Sequence, residues 1–282
     1  MITPQEPYPN LSKELGITSI IFKREDLHPY GSHKGRSIPF MIDEKIKAGC
    51  SHFAISSSGN AALAAALHVK KLGNVVLEIL IGKNINSEKL KKLESLRDSN
   101  ILLSLQDRPL QALFMKTQDP SIQSLRQSND DTALMGYAEL AKELSEIPNL
   151  KAIFIGTSSG TTAQALAQYL KDVEIHIVQT SSCHPMSDAF IKYEGNNDKS
   201  IADAIVDTVA TRKATLIPLV EKSGGIGWTV SNEEILAAQD ITKKNTDLTI
   251  STNSALSVAG LMQAIYTGKS RKGSMVCMIC GD

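Results

Sequence analysis

The sequence predicts an α/β protein built on mostly parallel sheets, and three observations carry that prediction. Short apolar, strand-like runs alternate with longer segments of helical apolar spacing through most of the chain. No hairpin signal joins consecutive strand runs, so successive strands are expected to run parallel, with helices covering both faces of each sheet. The 282 residues are 42% hydrophobic and 21% charged, with 18 Gly and 10 Pro. That composition excludes a disordered, collagenous or low-complexity chain and leaves ample material for a core.

In chain order, the apolar run at residues 19–22 is the first strand candidate, followed by 53–56 and 75–81. Residues 61–72 and 87–96 have apolar positions at helical spacing and lie where crossing helices belong. Residues 107–131 are polar and weakly patterned, and are expected to cross between two lobes. A helix over 133–144 then leads to a strand at 152–155, a helix at 161–170 and a strand at 174–179. Ser231-Asn232-Glu233-Glu234 is a capping box that starts a helix before Ile235 and Leu236. A helix over 255–266 and a fully apolar strand at 275–280 complete the pattern. Sites in such sheets belong at the carboxyl ends of the strands.

Composition also excludes several functions. Thirty Lys+Arg against thirty Asp+Glu give zero net charge, so no basic surplus points to nucleic acid. Four cysteines are too few for a disulfide scaffold, which favours a reducing compartment. The pair Cys277 and Cys280 has metal-site spacing, but within a strand these residues face opposite ways and cannot grip one ion. The six histidines form no metal-binding pattern, and no metal is expected. Glu88 and Lys92 sit four apart, as on a solvated helix face. The N-terminus lacks a cationic head and apolar core, and no apolar stretch approaches a membrane span. A cytoplasmic protein is expected.

Three segments carry chemistry. The first runs from Phe22 to Arg36 and places Lys34 at the start of a helix after a Pro/Gly turn. Positive potential there lowers an amine's pKa and makes it a better nucleophile toward an aldehyde. The second is Ser57-Ser58-Gly59-Asn60 before the helix at 61–72. Free N–H groups at that helix start suit a carboxylate, while the plain alternative is capping by Ser58. The third is Gly156-Thr157-Ser158-Ser159-Gly160-Thr161, again strand to turn to helix, which suits a phosphate. It is neither a Walker A loop nor a GxGxxG. It does match GxSxG, so a hydrolase with Ser158 as nucleophile is a rival. That reading needs a later histidine, and only His176 and His184 follow.

Together these segments resemble the fold-type II, tryptophan-synthase-β-like family of pyridoxal-phosphate enzymes, most closely the threonine synthases. The pattern KxExxxPxGSxKxR is matched from Lys23 to Arg36. Threonine-synthase character comes from Ile177-Val178-Gln179 leading to His184-Pro185, from Ser200-Ile201-Ala202-Asp203-Ala204-Ile205, and from Ser223-Gly224-Gly225. The likeness covers most of the chain and is faint from Lys83 to Asp131.

The resemblance implies pyridoxal 5'-phosphate as cofactor, with Lys34 as the Schiff-base lysine. It implies Asn60 against the cofactor's ring oxygen, and Gly156, Thr157, Ser158, Ser159, Gly160 and Thr161 around its phosphate. Cys280 would face the pyridine nitrogen, against the plain reading of a buried core thiol. Ser57, Ser58, Gly59 and Asn60 would hold the substrate. Two three-layer lobes are implied, with the cofactor in the cleft between them. Residues 1–36 and 131–282 would form the large lobe and 37–130 a small mobile one. The implied activity is elimination or replacement on a hydroxy-amino acid or its phosphate ester, with O-phosphohomoserine to threonine plus phosphate first. A serine/threonine dehydratase, a cysteine-synthase-like enzyme and a degenerate regulatory homologue are alternatives. The expected partners are a small amino-acid substrate and a second copy in a homodimer, with no nucleic acid and no membrane. Departures from the family pattern are Gly35 where an acid is common, Ser251-Thr252-Asn253 where a Glu is common, a shortened middle, and an end at Asp282.

Overall fold

The structure is a computed structural model that describes residues 2–269 and 272–281. The chain packs as two compact units, one of Met1–Leu27 with Tyr137–Asp282 and one of His28–Gly136. The first unit begins with β1 (Gln5–Pro7), α1 (Pro9–Leu15) and β2 (Ser19–Arg24). The second holds α2 (Lys34–Lys47), β3 (His52–Ser56), α3 (Asn60–Leu72), β4 (Val76–Gly82) and α4 (Ser87–Glu94). It continues through β5 (Ile101–Gln106), α5 (Pro109–Lys116), β6 (Ile122–Ser124) and α6 (Thr132–Met135). The chain then returns to the first unit as α7 (Ala138–Ser145), β7 (Leu150–Gly156), α8 (Thr161–Tyr169) and β8 (Glu174–Thr180). After a long irregular segment come α9 (Lys213–Ser223), β9 (Gly227–Val230), α10 (Asn232–Thr246), α11 (Thr252–Tyr266) and β10 (Ser274–Ile279).

In the first unit the described strands form one sheet in the order β1-β2-β10-β7-β8-β9. Only the edge strand β1 is antiparallel to its neighbour; the other pairings are parallel. β10 lies between β2 and β7, and every residue of it is buried. That placement explains its unbroken apolar run, because a central parallel strand meets helices on both faces. Phe22, Phe154, Trp228, Leu256 and Met275 belong to one core cluster with residues of α10 and α11. Each such side chain contributes roughly 1.5–3 kcal/mol on burial. The capping box expected at Ser231 is present: Ser231 Oγ accepts from Glu234 N, and the Glu234 carboxylate accepts from Ser231 N.

The second unit has its own parallel sheet, ordered β5-β4-β3-β6. Leu77, Ile79 and Ile81 pack with Ile38, Met41, Ala62 and Val69 of α2 and α3. On the opposite face, Leu113 of α5 meets Ala54 and Leu80. These are three layers, helix on sheet on helix.

Two expectations change. Residues 107–131 are no crossing between lobes: α5 covers β3 and β4, and β6 pairs with β3, so this stretch completes the second unit's own core. α5 is mostly apolar yet buries only Leu113, with Leu110, Phe114 and Met115 exposed, so its apolar positions left no helical periodicity to read. The unit boundaries also fall elsewhere, so Lys34, assigned above to the large lobe, lies in the smaller unit. Its helix is fastened there, since Ser37 Oγ donates to Ala133 O at 2.7 Å and accepts from Gln127 Nε2 at 2.7 Å.

Candidate active site

In the smaller unit the turn before α2 shapes the start of the lysine helix. Gly31, at φ +77°, takes a left-handed conformation that suits glycine, and its N–H donates to His28 O at 2.7 Å. Lys34 N donates to the buried Ser32 Oγ at 3.3 Å. The half-buried Lys34 ammonium makes no hydrogen bond or ion pair among the described residues. Lys23, the other lysine of the motif, is committed. It is fully buried, paired with Glu143, and donates to Thr3 O at 2.9 Å.

Gly35, a departure from the family pattern, has a structural cause. A Cβ there would stand 2.4 Å from two atoms of the His28 ring and 2.6 Å from Tyr30 Cβ. These side chains fill the space that an acidic residue would need. Tyr30 also begins a polar chain that sequence reasoning missed. Its hydroxyl lies 3.0 Å from His68 Nδ1, and His68 Nε2 lies 2.8 Å from Asp43 Oδ1. A carboxylate only accepts, so His68 donates to Asp43 through Nε2. Burial and the Asp43 charge raise the Tyr30 pKa. Separations of 38 and 25 residues left no local signal of this chain.

Ser57, Ser58, Gly59 and Asn60 form the β3-to-α3 turn of the same unit. The N-cap is Gly59, with no side-chain cap bond, so capping by Ser58 does not occur. Ser57 Oγ instead accepts from Gly59 N at 3.3 Å. The first N–H groups of α3 therefore have no capping side chain, which leaves them to an anion. The Asn60 amide makes no side-chain hydrogen bond among the described residues. α2 and α3 pack together, which places Lys34 and Asn60 at the starts of neighbouring helices.

The larger unit holds the other predicted residues at the carboxyl end of its sheet. β7 ends at Gly156, and α8 starts at Thr161 behind the N-cap Gly160, again without a side-chain cap. Gly160 has φ +81°, and a Cβ on it would meet Leu216 Cδ2 at 2.8 Å. Thr161 and Thr162 are 1% and 5% exposed, so the uncapped N–H groups of this helix start are buried and need a partner. Ser159 Oγ and Thr161 Oγ1 are 3.0 Å apart. Thr157 faces inward, its hydroxyl donating to Ile155 O at 2.9 Å, so its part in the turn is to shape the backbone. Cys280 directly follows β10, and β10 runs parallel to β7, so the thiol lies at the same sheet end as Gly156. Ser251 Oγ and Ser254 Oγ fix the next residue by donating to Gly281 O at 3.1 and 3.4 Å. Cys277, by contrast, is buried, and burial pushes its thiol up. No group of residues suited to a metal ion occurs among the described residues.

The hydrolase reading finds no support in these bonds. Ser158 Oγ accepts from Val206 N and Asp207 N. His176 binds Glu174 and Trp228, and His184 binds Asp188 and Asn197. Neither histidine serves Ser158. Thr157 N donates to Val178 O at 2.8 Å, so the donor set that remains is the backbone N–H groups of residues 158–161 around a glycine that admits no side chain, and it fits the phosphate of a cofactor.

Comparison with known proteins agrees with that donor set. The family model described as pyridoxal-phosphate dependent enzyme matches residues 2–281. A threonine synthase from Bacillus sp. is 25% identical over 293 residues, covering 98% of this chain and 81% of its own length. An L-serine dehydratase/L-threonine deaminase from Mus musculus is 28% identical over 191 residues, 64% of this chain; the chain spans 58% of that relative. Among solved structures, a pyridoxal 5'-phosphate-dependent aspartate racemase has a TM-score of 0.84 at 20% identity, covering 100% of this chain and 90% of that one. At that identity the likeness speaks for the fold alone. No helix among the described residues is long and apolar enough to cross a membrane.

Proposed function

This chain belongs to the pyridoxal-phosphate dependent enzyme family, and we propose that it catalyses elimination or replacement on a hydroxy-amino acid or its phosphate ester. Its cofactor is pyridoxal 5'-phosphate. When bound, that group supplies an electron sink for charge developing at the substrate's α-carbon. The observation that carries the reading is the contrast between two lysines of one motif. Lys23 is locked to Glu143 inside the core, while the Lys34 amine at the start of α2 is uncommitted.

Lys34 Nζ holds the cofactor and later moves the proton at the substrate's α-carbon. The N–H groups at the start of α3, with Ser57, Ser58 and Asn60, bind the substrate carboxylate. The N–H groups of residues 158–161 hold the phosphate, since the Thr157 N–H already donates to Val178 O at 2.8 Å. Cys280 offers the pyridine nitrogen a thiol, which does not keep that nitrogen protonated as a carboxylate would. That choice suits elimination and replacement more than transamination.

Threonine synthases are relatives over nearly the whole chain, so O-phosphohomoserine, with water replacing phosphate, is the first candidate substrate. The mouse relative favours a second reading, a serine or threonine dehydratase. Purified protein is tested with each substrate for released phosphate and released keto acid. Phosphate and threonine from O-phosphohomoserine are expected. Keto acid from serine, without phosphate release from the ester, excludes the synthase reading. Borohydride trapping assigns the lysine independently: cofactor mass is expected on the Lys34 peptide, and Lys34→Ala removes it. The same variant should lose at least roughly 10²–10⁴-fold in turnover. Mass on the Lys23 peptide overturns the assignment.

A further inference from the structure

Ser158 is bonded in a way that a phosphate-binding turn does not by itself require. Its Oγ accepts the N–H groups of both Val206 and Asp207, each at 3.2 Å. A hydroxyl has two acceptor positions and one proton. Both acceptor positions are therefore taken, and only the O–H donor remains. A ligand that uses Ser158 must be an acceptor, as an anion is.

The segment that Ser158 holds, residues 200–210, contains neither helix nor strand. Its backbone is tied down largely by side chains. Asn232 Oδ1 accepts from Ile201 N at 3.0 Å, and Asn253 Oδ1 accepts from Ala204 N at 3.0 Å. Farther along, Asp207 Oδ1 accepts from Val209 N at 3.1 Å and Ala210 N at 3.3 Å. Ile205 and Ala210 are buried on either side, but Val206 and Val209 between them are 69% and 67% exposed. The N–H groups of residues 206 and 207 are thus both held by one serine in the turn before α8.

We infer that Ser158 is a positioning residue that couples the anion held at the turn before α8 to the order of residues 200–210. The inference rests on the phosphate-binding reading above. An anion that accepts the Ser158 O–H fixes the hydroxyl rotor with its lone pairs toward Val206 and Asp207. Donating to a charge also makes the oxygen a stronger acceptor, since hydrogen bonds in a chain polarise one another. Coupling of this kind is reciprocal, so the ordered segment tightens binding of the anion.

Amide hydrogen exchange of the full chain tests this with pyridoxal 5'-phosphate and with pyridoxal, which lacks the phosphate. Trapping on Lys34 reports binding separately. In the wild-type chain pyridoxal 5'-phosphate should slow exchange at Val206 and Asp207 about tenfold, as fewer local openings expose them, and pyridoxal should not. Ser158→Ala should abolish this slowing while cofactor is still trapped on Lys34. Ser158→Thr, which keeps the hydroxyl, should restore it. Equal slowing by pyridoxal, slowing that persists in Ser158→Ala, or no slowing in a chain that binds the cofactor overturns the inference. A wild-type chain that takes up no cofactor overturns the functional reading, and this inference with it.

Discussion

Replacing Gly160 by alanine probes the phosphate turn most directly, and the structure sets the size of the effect. Gly160 sits at φ +81°, where an L side chain costs about 1–2 kcal/mol. The new Cβ would stand 2.8 Å from Leu216 Cδ2 and 3.2 Å from Met186 Cε. Both neighbours are 0% exposed and cannot retreat into solvent, so overpacking adds roughly 1–3 kcal/mol. The sum, about 2–5 kcal/mol, is a large part of the 5–15 kcal/mol that holds a typical protein folded. Part of the strain can be relieved by turning the 160–161 peptide, which would misaim the N–H groups offered to a phosphate. Gly160→Ala should therefore lower the urea midpoint and weaken cofactor binding in a titration followed by visible absorbance. Gly160→Val, with a second branch at Cβ, should do both more strongly. A variant with an unchanged midpoint would refute the strain estimate. One that loses stability yet binds cofactor as before would refute the cradle.

Gly35→Asp, which installs the acid common in the family, should cost ~1–3 kcal/mol because its Cβ collides with His28 and Tyr30; an undiminished melting temperature would mean that the His28 ring moves aside freely. Glu143→Ala leaves the Lys23 ammonium buried without its carboxylate and should cost about 3–5 kcal/mol in urea unfolding, whereas a loss below ~1 kcal/mol would show that water reaches Lys23. Stability should also fall in acid, in two stages. Burial lowers the His176 pKa from its usual 6.5, so the unfolded chain takes up that proton first and stability declines as pH drops below 6.5. The His176 hydrogen bond holds Glu174 at about 2 instead of 4.5, so a second decline should run from pH 4.5 down toward 2. Urea midpoints measured from pH 7 down to pH 2 should fall in both windows for the wild type; a flat profile between pH 7 and 5 would contradict the His176 assignment, and one below pH 4.5 the Glu174 assignment.

Much of the fold was legible because strands buried on both faces must be apolar throughout. β10 and β7 sit centrally, and their runs announced them. Elements with weaker demands on composition were silent. β5 is an edge strand whose Leu102 and Leu105 are 44% and 50% exposed, so no alternation marks it. α9 carries Pro218 in its interior and buries only Leu216 and Val220.

The candidate site divides in the same way. The sequence by itself determined the family, the lysine motif from Lys23 to Arg36 and the two strand-to-helix turns at Ser57–Asn60 and Gly156–Thr161. Those features are local: a helix start, a glycine and its neighbours are read within a few residues, and their chemistry follows from the backbone. Tertiary structure alone decided which lysine is free, because only folding brings Glu143 to Lys23 across 120 residues. It alone explained Gly35, by laying His28 and Tyr30 over it, and joined Tyr30, His68 and Asp43 into one chain. It also brought the N–H groups of residues 206 and 207 onto Ser158 Oγ, across 48 and 49 residues. Pairing of this kind depends on where distant backbones come to lie, and spacing along the chain carries no record of it.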